Sequence, residues 1–428
     1  MALKTRGVKL STTSRENPHC FCFCPGGGIA MVSTASANRP LRILQVSAHY
    51  VPAYHYGGVL HVAHSLSKAL VAQGHEVRVC TSSMKDPHSD LDVPLDTACE
   101  VDGVQVYYEP VCGSRYWGFS PRMTRRLWSE SKWADVILLH FHYQYSSLVG
   151  GWIARLRRKP YIVFTHGSMN RYGVTARGMM RKRLYLNLLE GSNFRRTLFT
   201  AYHSQEEMST SFQFGRCQVV PNGIQPALFN DPPEHGYFRR RYPELKDRIF
   251  YLYLGRLDAG KGLDLLLPAF RQLLDKHANT HLVLAGGNER GYEATVRQMI
   301  AALNLSAHVT LTGLISGADK LSALHDADAF VLPSRSEGLS IAMLEAMYMG
   351  LPIITTDRVG LWRLIQDQGC GFVTPLDENC LAEALKKMAE TNERIAMGAR
   401  ARRLVEEKFT WDTIAADLIT RIQKEVAI

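Results

Sequence analysis

The chain has 428 residues, a length that suits two domains of ordinary size. Hydrophobic residues make up 46% and charged residues 21%, which excludes global disorder. No uninterrupted apolar run approaches the roughly 18 residues that a membrane-spanning helix needs. The formal charge of +10 is uneven: between Arg115 and Arg196 sixteen Lys or Arg stand against three acids, Glu130, Asp135 and Glu190.

Residues 1–40 carry scattered Ser, Thr, Gly and Arg without periodicity and read as a disordered N-terminal extension, with Met31 as the expected start. The run Cys20-Phe21-Cys22-Phe23-Cys24 offers poor tetrahedral geometry, so no metal site is expected there. The segment also lacks the charged, apolar and cleavage regions of a secretion signal. Cys80, Cys99, Cys112, Cys217, Cys370 and Cys380 are too scattered for a disulfide framework, which points to a reducing, cytoplasmic compartment.

From Leu41 onward short apolar segments alternate with helical ones, the pattern of parallel sheets in α/β layers. Expected strands include Ile43–Ser47, Glu76–Thr81, Asp135–His140, Tyr161–Thr165 and Leu198–Ala201 in the first half. The second half offers Ile249–Leu254, His281–Ala285, Val309–Thr312, Ala329–Leu332 and Pro352–Thr355. Helices fill the gaps, for example Gly58–Ala72 and Arg177–Arg195. Pro, Gly and charged residues cluster between Asn222 and Pro243, where a domain boundary belongs. Two Rossmann-like domains facing a cleft would bind ligands at the carboxyl ends of their strands.

Gly57-Gly58 opens the first helix without the G-x-G-x-x-G fingerprint, so a nicotinamide dinucleotide is not expected. Trp117, Trp128, Trp133 and Trp152 lie among the basic residues of the Arg115–Arg196 region. That mixture suits an anionic membrane surface or a phosphate-bearing acceptor, with a solvated basic face as the bland alternative. No nucleic-acid module is visible, and no nucleic-acid partner is expected. His140 and His142 share a strand face with no third ligand in sight and read as cleft lining. His166 falls at the carboxyl end of the Tyr161–Thr165 strand, where a catalytic side chain would enter the cleft; a lone histidine there is more often structural.

The loop Gly255-Arg256-Leu257-Asp258-Ala259-Gly260-Lys261-Gly262 follows an apolar strand. Arg256 and Lys261 can place two cations on one diphosphate, and the glycines let the backbone come close. Asp326-Ala327-Asp328 matches a D-x-D metal signature but precedes its strand, at the wrong end for the cleft. Glu337-Gly338-Leu339-Ser340-Ile341-Ala342-Met343-Leu344-Glu345 sets two carboxylates around the start of a helix. A fully helical span between them would be roughly 12 Å long. Carboxylates bind hydroxyl donors, while the first helical turn favours phosphate. Alone, such a pair is more often a helix with a solvated Glu at each end.

These motifs occur in order with Pro221-Asn222-Gly223-Ile224, Phe229, Leu282–Gly287 and the closing Phe409-Thr410-Trp411. The set resembles the retaining glycosyltransferases of family 4, which have the two-domain GT-B fold, from about Leu41 to near the C-terminus. The resemblance implies an acceptor domain over residues 41–222 and a nucleotide-sugar domain over residues 223–408. Residues 409–428 would form a last helix that returns to the first domain. It further implies transfer of a hexosyl unit from a UDP- or GDP-sugar to a glycan or lipid-linked acceptor, without metal or cofactor. The protein would be cytoplasmic, with peripheral membrane contact through the Arg115–Arg196 region. Carried onto this sequence, Glu345 would hold the ribose, and Arg256 with Lys261 the diphosphate. The loop Gly338-Leu339-Ser340 would add N–H groups, and Glu337 would orient the sugar. His166 would contact donor sugar or acceptor, and Gly57 with Gly58 would let their loop approach the donor.

Two segments depart from the family pattern. Gln225 stands where Asp usually follows Pro-Asn-Gly-Ile, and Arg358–Arg363 replaces a Gly-rich run ending in Glu. They bear on donor identity, and the Arg358–Arg363 loop leaves open a catalytically silent homologue acting as a scaffold in a glycan-assembly complex; the alternative enzyme is a sucrose- or trehalose-type synthase or an epimerase.

Overall fold

Parallel pairing dominates both halves of the computed structural model, which describes residues 39–56, 58–169, 184–288 and 291–426. The extension read over residues 1–40, apart from Arg39 and Pro40, lies outside the described residues. So do Gly57 and residues 177–183 of the helix read over Arg177–Arg195. Beyond them that helix is not uniform: Leu186–Glu190 forms a π-turn and Gly191–Arg196 an α-helical turn.

The first sheet contains β1 (Arg42–Ser47), β2 (Glu76–Ser82), β3 (Cys99–Val101), β4 (Val104–Glu109), β5 (Val136–His140), β6 (Tyr161–Phe164), β7 (Thr200–Tyr202) and β8 (Cys217–Val219). Their order is β3-β4-β2-β1-β5-β6-β7-β8, parallel except for the β3–β4 hairpin at one edge. That hairpin turns at Asp102-Gly103, both left-handed, a dipeptide that signals such a turn in sequence. The second sheet contains β9 (Ile249–Leu254), β10 (Thr280–Ala285), β11 (Val309–Gly313), β12 (Ala329–Leu332), β13 (Ile353–Thr356) and β14 (Gly371–Thr374). It is wholly parallel, in the order β11-β10-β9-β12-β13-β14. Helices cover both faces of each sheet, so central strands such as β5 and β12 are buried on both sides and read as continuous apolar runs.

The helix Trp411–Val426 follows the second sheet in sequence but packs on the first domain. Ile414, Leu418, Ile419 and Ile422 recur at helical spacing and join Leu60, Leu66 and Leu70 of the Gly58–Ala72 helix in one buried cluster. The chain therefore crosses between the sheets twice, and the crossings lie side by side. Ile224 N–H donates to Phe409 O at 2.8 Å, and Trp411 N–H donates to Ile224 O at 3.1 Å. Pro221-Asn222-Gly223-Ile224 and Phe409-Thr410-Trp411 thus meet each other. A Cβ on Gly223 would lie 2.8 Å from Trp411 N and 2.8 Å from the Ile414 side chain, so only glycine fits without displacement. Gly223→Ala is expected to cost about 1–3 kcal/mol and lower the thermal midpoint. A wild-type midpoint in calorimetry would show that the two crossings are not packed this way.

Candidate active site

On the second domain, three loops at the carboxyl ends of β9, β12 and β13 are joined by their backbones. Asp258 caps the turn Ala259–Lys261 by accepting from Gly260 N–H at 2.8 Å. Gly262 follows with φ +73°, and a Cβ there would sit 2.1 Å from Pro333 O. Arg335 N–H donates to Gly260 O at 2.9 Å. These contacts lay the Lys261 loop against the Glu337 loop, and Lys261 Nζ forms an ion pair with Glu337 Oε2. Arg256 is exposed in the same loop, and its carbonyl accepts from Tyr253 OH at 2.7 Å.

The two glutamates do not share a helix. The helix spans Ile341–Tyr348, capped by Ser340 Oγ accepting from Met343 N–H, and Glu337 precedes it in a loop. The helix start expected at Ser340 is found there, and the path from Glu337 to Glu345 is a loop followed by one helical turn. Glu337 N–H donates to Arg358 O at 3.1 Å, and Gly360 N–H donates to Glu337 O at 2.9 Å. The segment whose side chains depart from the family pattern thus holds Glu337 through its backbone, which those substitutions do not alter. Leu339 and Ser340 are buried between Glu337 and the helix. Glu345 projects from the helix and pairs with Lys320 at 2.8 Å. Lys320 Nζ lies 5.9 Å from the Phe229 ring, and Phe229 packs edge-on to Tyr348.

Asp326 and Asp328 are engaged elsewhere. Asp326 accepts from the backbone N–H groups of Gly236, Phe238 and Arg239, and Asp328 from Phe250 N–H and the Arg239 guanidinium. They tie the Tyr237–Arg241 helix to the sheet.

On the first domain, His166 follows β6 in a left-handed conformation with φ +48°. Its ring sits in a row of hydrogen bonds. Gln45 Nε2 is 2.6 Å from His140 Nε2, His140 Nδ1 is 3.0 Å from His166 Nε2, and His166 Nδ1 is 3.0 Å from His203 Nε2. The row ends at His203 Nδ1, 3.1 Å from Val220 O. A carbonyl only accepts, so His203 Nδ1 donates, and each neighbour in turn donates through Nδ1 and accepts through Nε2. The Gln45 amide completes the direction, because its oxygen accepts from Ser67 Oγ and its nitrogen also donates to Ala63 O. Both ring nitrogens of His166 are thereby occupied, and a ligand using either would displace a neighbouring imidazole. His140 is not cleft lining as expected: β5 ends at it, and it is buried between Gln45 and His166. His142 lies beyond the strand, 2.6 Å from Ser168 Oγ, because left-handed Phe141 and Tyr143 break the alternation.

Burial, then the neighbouring imidazoles, holds His166 well below the ordinary histidine range; burial, then His203, pushes His140 down to about 3. Near the exposed Gly58, a cavity of about 190 Å³ is lined by Ser47, His49, Tyr56, Leu60, Phe141 and Gln144, among others, beyond β1 and β5. His49 stacks on Tyr56 with centroids 3.4 Å apart, and burial with Arg115 lowers it to about 4. Of the tryptophans in the basic region, Trp128 and Trp152 are exposed, whereas Trp117 and Trp133 pack inward against Tyr145 and Arg78.

Sequence reading missed His203, Glu207 and Lys320, each of which contacts an expected site residue. Glu207 carried a local signal, since Ser204 and Glu207 have capping-box spacing. Lys320 had none, because only folding brings it to Glu345.

Two α/β domains, each built on a mainly parallel sheet, place the chain in the GT-B class. The family model described as Glycosyltransferase Family 4 matches residues 56–228, and that described as Glycosyl transferases group 1 matches residues 237–404. Between them they take in most of the chain, which belongs to this glycosyltransferase family. An uncharacterized glycosyltransferase of Methanocaldococcus jannaschii is 27% identical over 397 residues, 89% of this chain and 97% of its own length. A GDP-mannose-dependent alpha-(1-6)-phosphatidylinositol monomannoside mannosyltransferase of Mycobacterium tuberculosis is 32% identical over 235 residues, 51% of this chain and 59% of that protein. In fold, Anabaena HepE in complex with UDP-glucose aligns with TM-score 0.68 at 17% identity, covering 90% of this chain and all of that one, 100%.

The folded pKa of His140 lies below its unfolded value of about 6.5, so the unfolded chain binds more protons between the two. Stability is then complete above about pH 6.5 and is lost as pH falls, by up to about 1.4 kcal/mol per unit for one such group. His140→Gln is expected to flatten the decline in thermal midpoint between about pH 7 and about pH 5. Parallel pH curves for the two proteins would refute a neutral, buried His140.

Proposed function

We propose that the protein transfers a hexosyl unit from a UDP- or GDP-sugar to a glycan or lipid-linked acceptor, with retention of anomeric configuration. The observation that carries the reading is the convergence of Lys261 and Glu337, brought about by the Gly262–Pro333 and Gly260–Arg335 contacts. Each expected donor-binding carboxylate balances a lysine: Glu337 with Lys261, and Glu345 with Lys320. An entering diphosphate would take Lys261, with Arg256 completing its neutralisation, and so release Glu337 to accept sugar hydroxyls. Glu345 would turn to the ribose, while the N–H groups of Leu339 and Ser340 face the phosphates from the start of the helix.

As the glycosidic bond breaks, negative charge grows on the leaving phosphate. Fixed cations stabilise that charge most at the transition state, so the proposal assigns neutralisation to Arg256 and Lys261 without a metal. Retention would follow from front-face attack, with the leaving phosphate taking the acceptor proton. His166, whose nitrogens are committed to its neighbours, would line the sugar pocket and would not abstract a proton. The GDP-mannose and UDP-glucose named for relatives support a nucleotide-diphosphate sugar. The phosphatidylinositol monomannoside acceptor of one relative supports a lipid-linked acceptor. Trp128, Trp152 and Leu156 are exposed beside Arg155, Arg157 and Arg158 and offer the corresponding peripheral contact with an anionic membrane surface.

A thermal-shift screen of UDP-, GDP-, ADP- and TDP-sugars tests the donor. At about a hundred times its dissociation constant the right one should add about 2.7 kcal/mol, and Glu345→Ala should abolish that gain. Lys261→Ala should lower kcat/KM about 10²–10³-fold. Stabilisation by no donor, or undiminished turnover in Lys261→Ala, would overturn the assignment.

A further inference from the structure

His166 occupies a backbone conformation that residues with side chains rarely adopt, at a cost of the order that surrounding contacts must offset. Gly167 follows in the same left-handed region, with φ +77°. Besides His140, the segment His203–Glu207 holds this turn. Glu207 is buried, and its Oε1 accepts from Gly167 N–H at 2.8 Å and from Thr165 Oγ1 at 3.0 Å. Its other oxygen, Oε2, accepts from His203 N–H at 2.8 Å. One carboxylate thus clamps both sides of His166 and ties them to the end of β7. The His203 ring adds the second hold by accepting from His166 Nδ1–H.

The same segment meets the opposite wall of the cleft. A Cβ on Gly338 would lie 3.3 Å from Glu207 Oε2, and a Cβ on Gly360 would lie 2.6 Å from Ser204 Oγ. Gly360 is the residue whose N–H holds Glu337 O, and Arg363 approaches Glu206 at 3.7 Å. One short segment therefore touches the turn that carries His166 and the loop that carries Glu337. The imidazole row is not a proton path, since it ends at the Val220 carbonyl on one side and the Gln45 amide on the other. Its chemistry is orientation.

We infer that Glu207 and His203 are positioning residues of the transfer site. Glu207 locks the left-handed His166–Gly167 turn and sets its spacing from the Glu337 loop, while His203 fixes the orientation and tautomer of the His166 ring. The inference rests on the proposed role of His166 and Glu337 in seating the donor sugar. Neither positioning residue touches the nucleoside diphosphate in that arrangement, so their loss should act on the sugar and on turnover alone.

The test uses the full-length protein and three variants: Glu207→Gln, His203→Leu and His203→Gln. In Glu207→Gln the size is kept, but the amide cannot accept on both sides. In His203→Leu the ring loses its acceptor, and in His203→Gln the amide oxygen can restore it. Binding of UDP against UDP-glucose, and of GDP against GDP-mannose, is measured by calorimetry alongside kcat and KM. Glu207→Gln and His203→Leu should bind the nucleoside diphosphate like wild type and lose the increment due to the sugar. Their kcat should fall by up to about a hundredfold, the scale of a small misplacement, and His203→Gln should recover most of it. Nitrogen-15 spectra of the imidazoles should show the His166 proton on Nδ1 in wild type and in His203→Gln, and a changed tautomer balance in His203→Leu.

Wild-type kcat in Glu207→Gln and His203→Leu would overturn the inference, as would parallel loss of nucleoside-diphosphate and sugar binding. The spectra need no donor: a wild-type His166 protonated on Nε2 refutes the row of hydrogen bonds even if a variant fails to fold. Failure of the underlying reading is seen separately, as full activity in His166→Ala.

Discussion

No side chain fits between residue 262 and the carbonyl of Pro333, and the pairing of Lys261 with Glu337 follows from that closeness. Because Gly262 lets the two loops touch, Lys261 reaches Glu337 although 76 residues separate them in the chain. The pairing keeps a half-buried cation and anion from standing unpaired, where each would carry a desolvation cost. Glu345 and Lys320 repeat the arrangement at the other end of the short helix. Each of the two carboxylates is thus balanced by a lysine that folding brings beside it.

The opposite wall is built on different physics. Burial, with repulsion from the neighbouring imidazoles, keeps His140 and His166 neutral. A fixed hydrogen-bond direction gives His166 one orientation and removes its ring nitrogens from acid–base chemistry. That commitment is consistent with the proposed mechanism, in which the leaving phosphate receives the acceptor proton. The two walls are linked at two places: the crossing of Ile224 with Phe409–Trp411, and the contact of Ser204 and Glu207 with Gly360 and Gly338. The first lets the last helix complete the core of the first domain. The second sets how closely the Glu337 loop and the His166 turn approach each other.

Alternating apolar and helical segments were legible in the chain because parallel strands buried on both faces leave continuous runs of Ile, Leu, Val and Phe. The Gly58–Ala72 helix and the strands Ile249–Leu254 and Ala329–Leu332 emerged with the expected limits. Short strands at sheet margins did not: β3, β8 and β14 are three or four residues long and are made by pairing, with little pattern of their own. Local spacing also misled where loops interrupt regular geometry. His140 and His142 looked like neighbours on one strand face, but left-handed Phe141 and Tyr143 break the period.

By itself the sequence determined the α/β class, the order of the motifs, and the residue types able to meet a diphosphate and hydroxyl groups. These properties depend on local pattern and side-chain chemistry, which are written residue by residue. Only the tertiary structure decided which charges pair, which histidine nitrogens are occupied, and which segments stand behind the site. Lys320 beside Glu345, and Glu207 beneath the His166 turn, owe their places to chain crossings and to close approaches at Gly223, Gly262 and Gly360. Such contacts join residues far apart in the chain, and no local propensity encodes them.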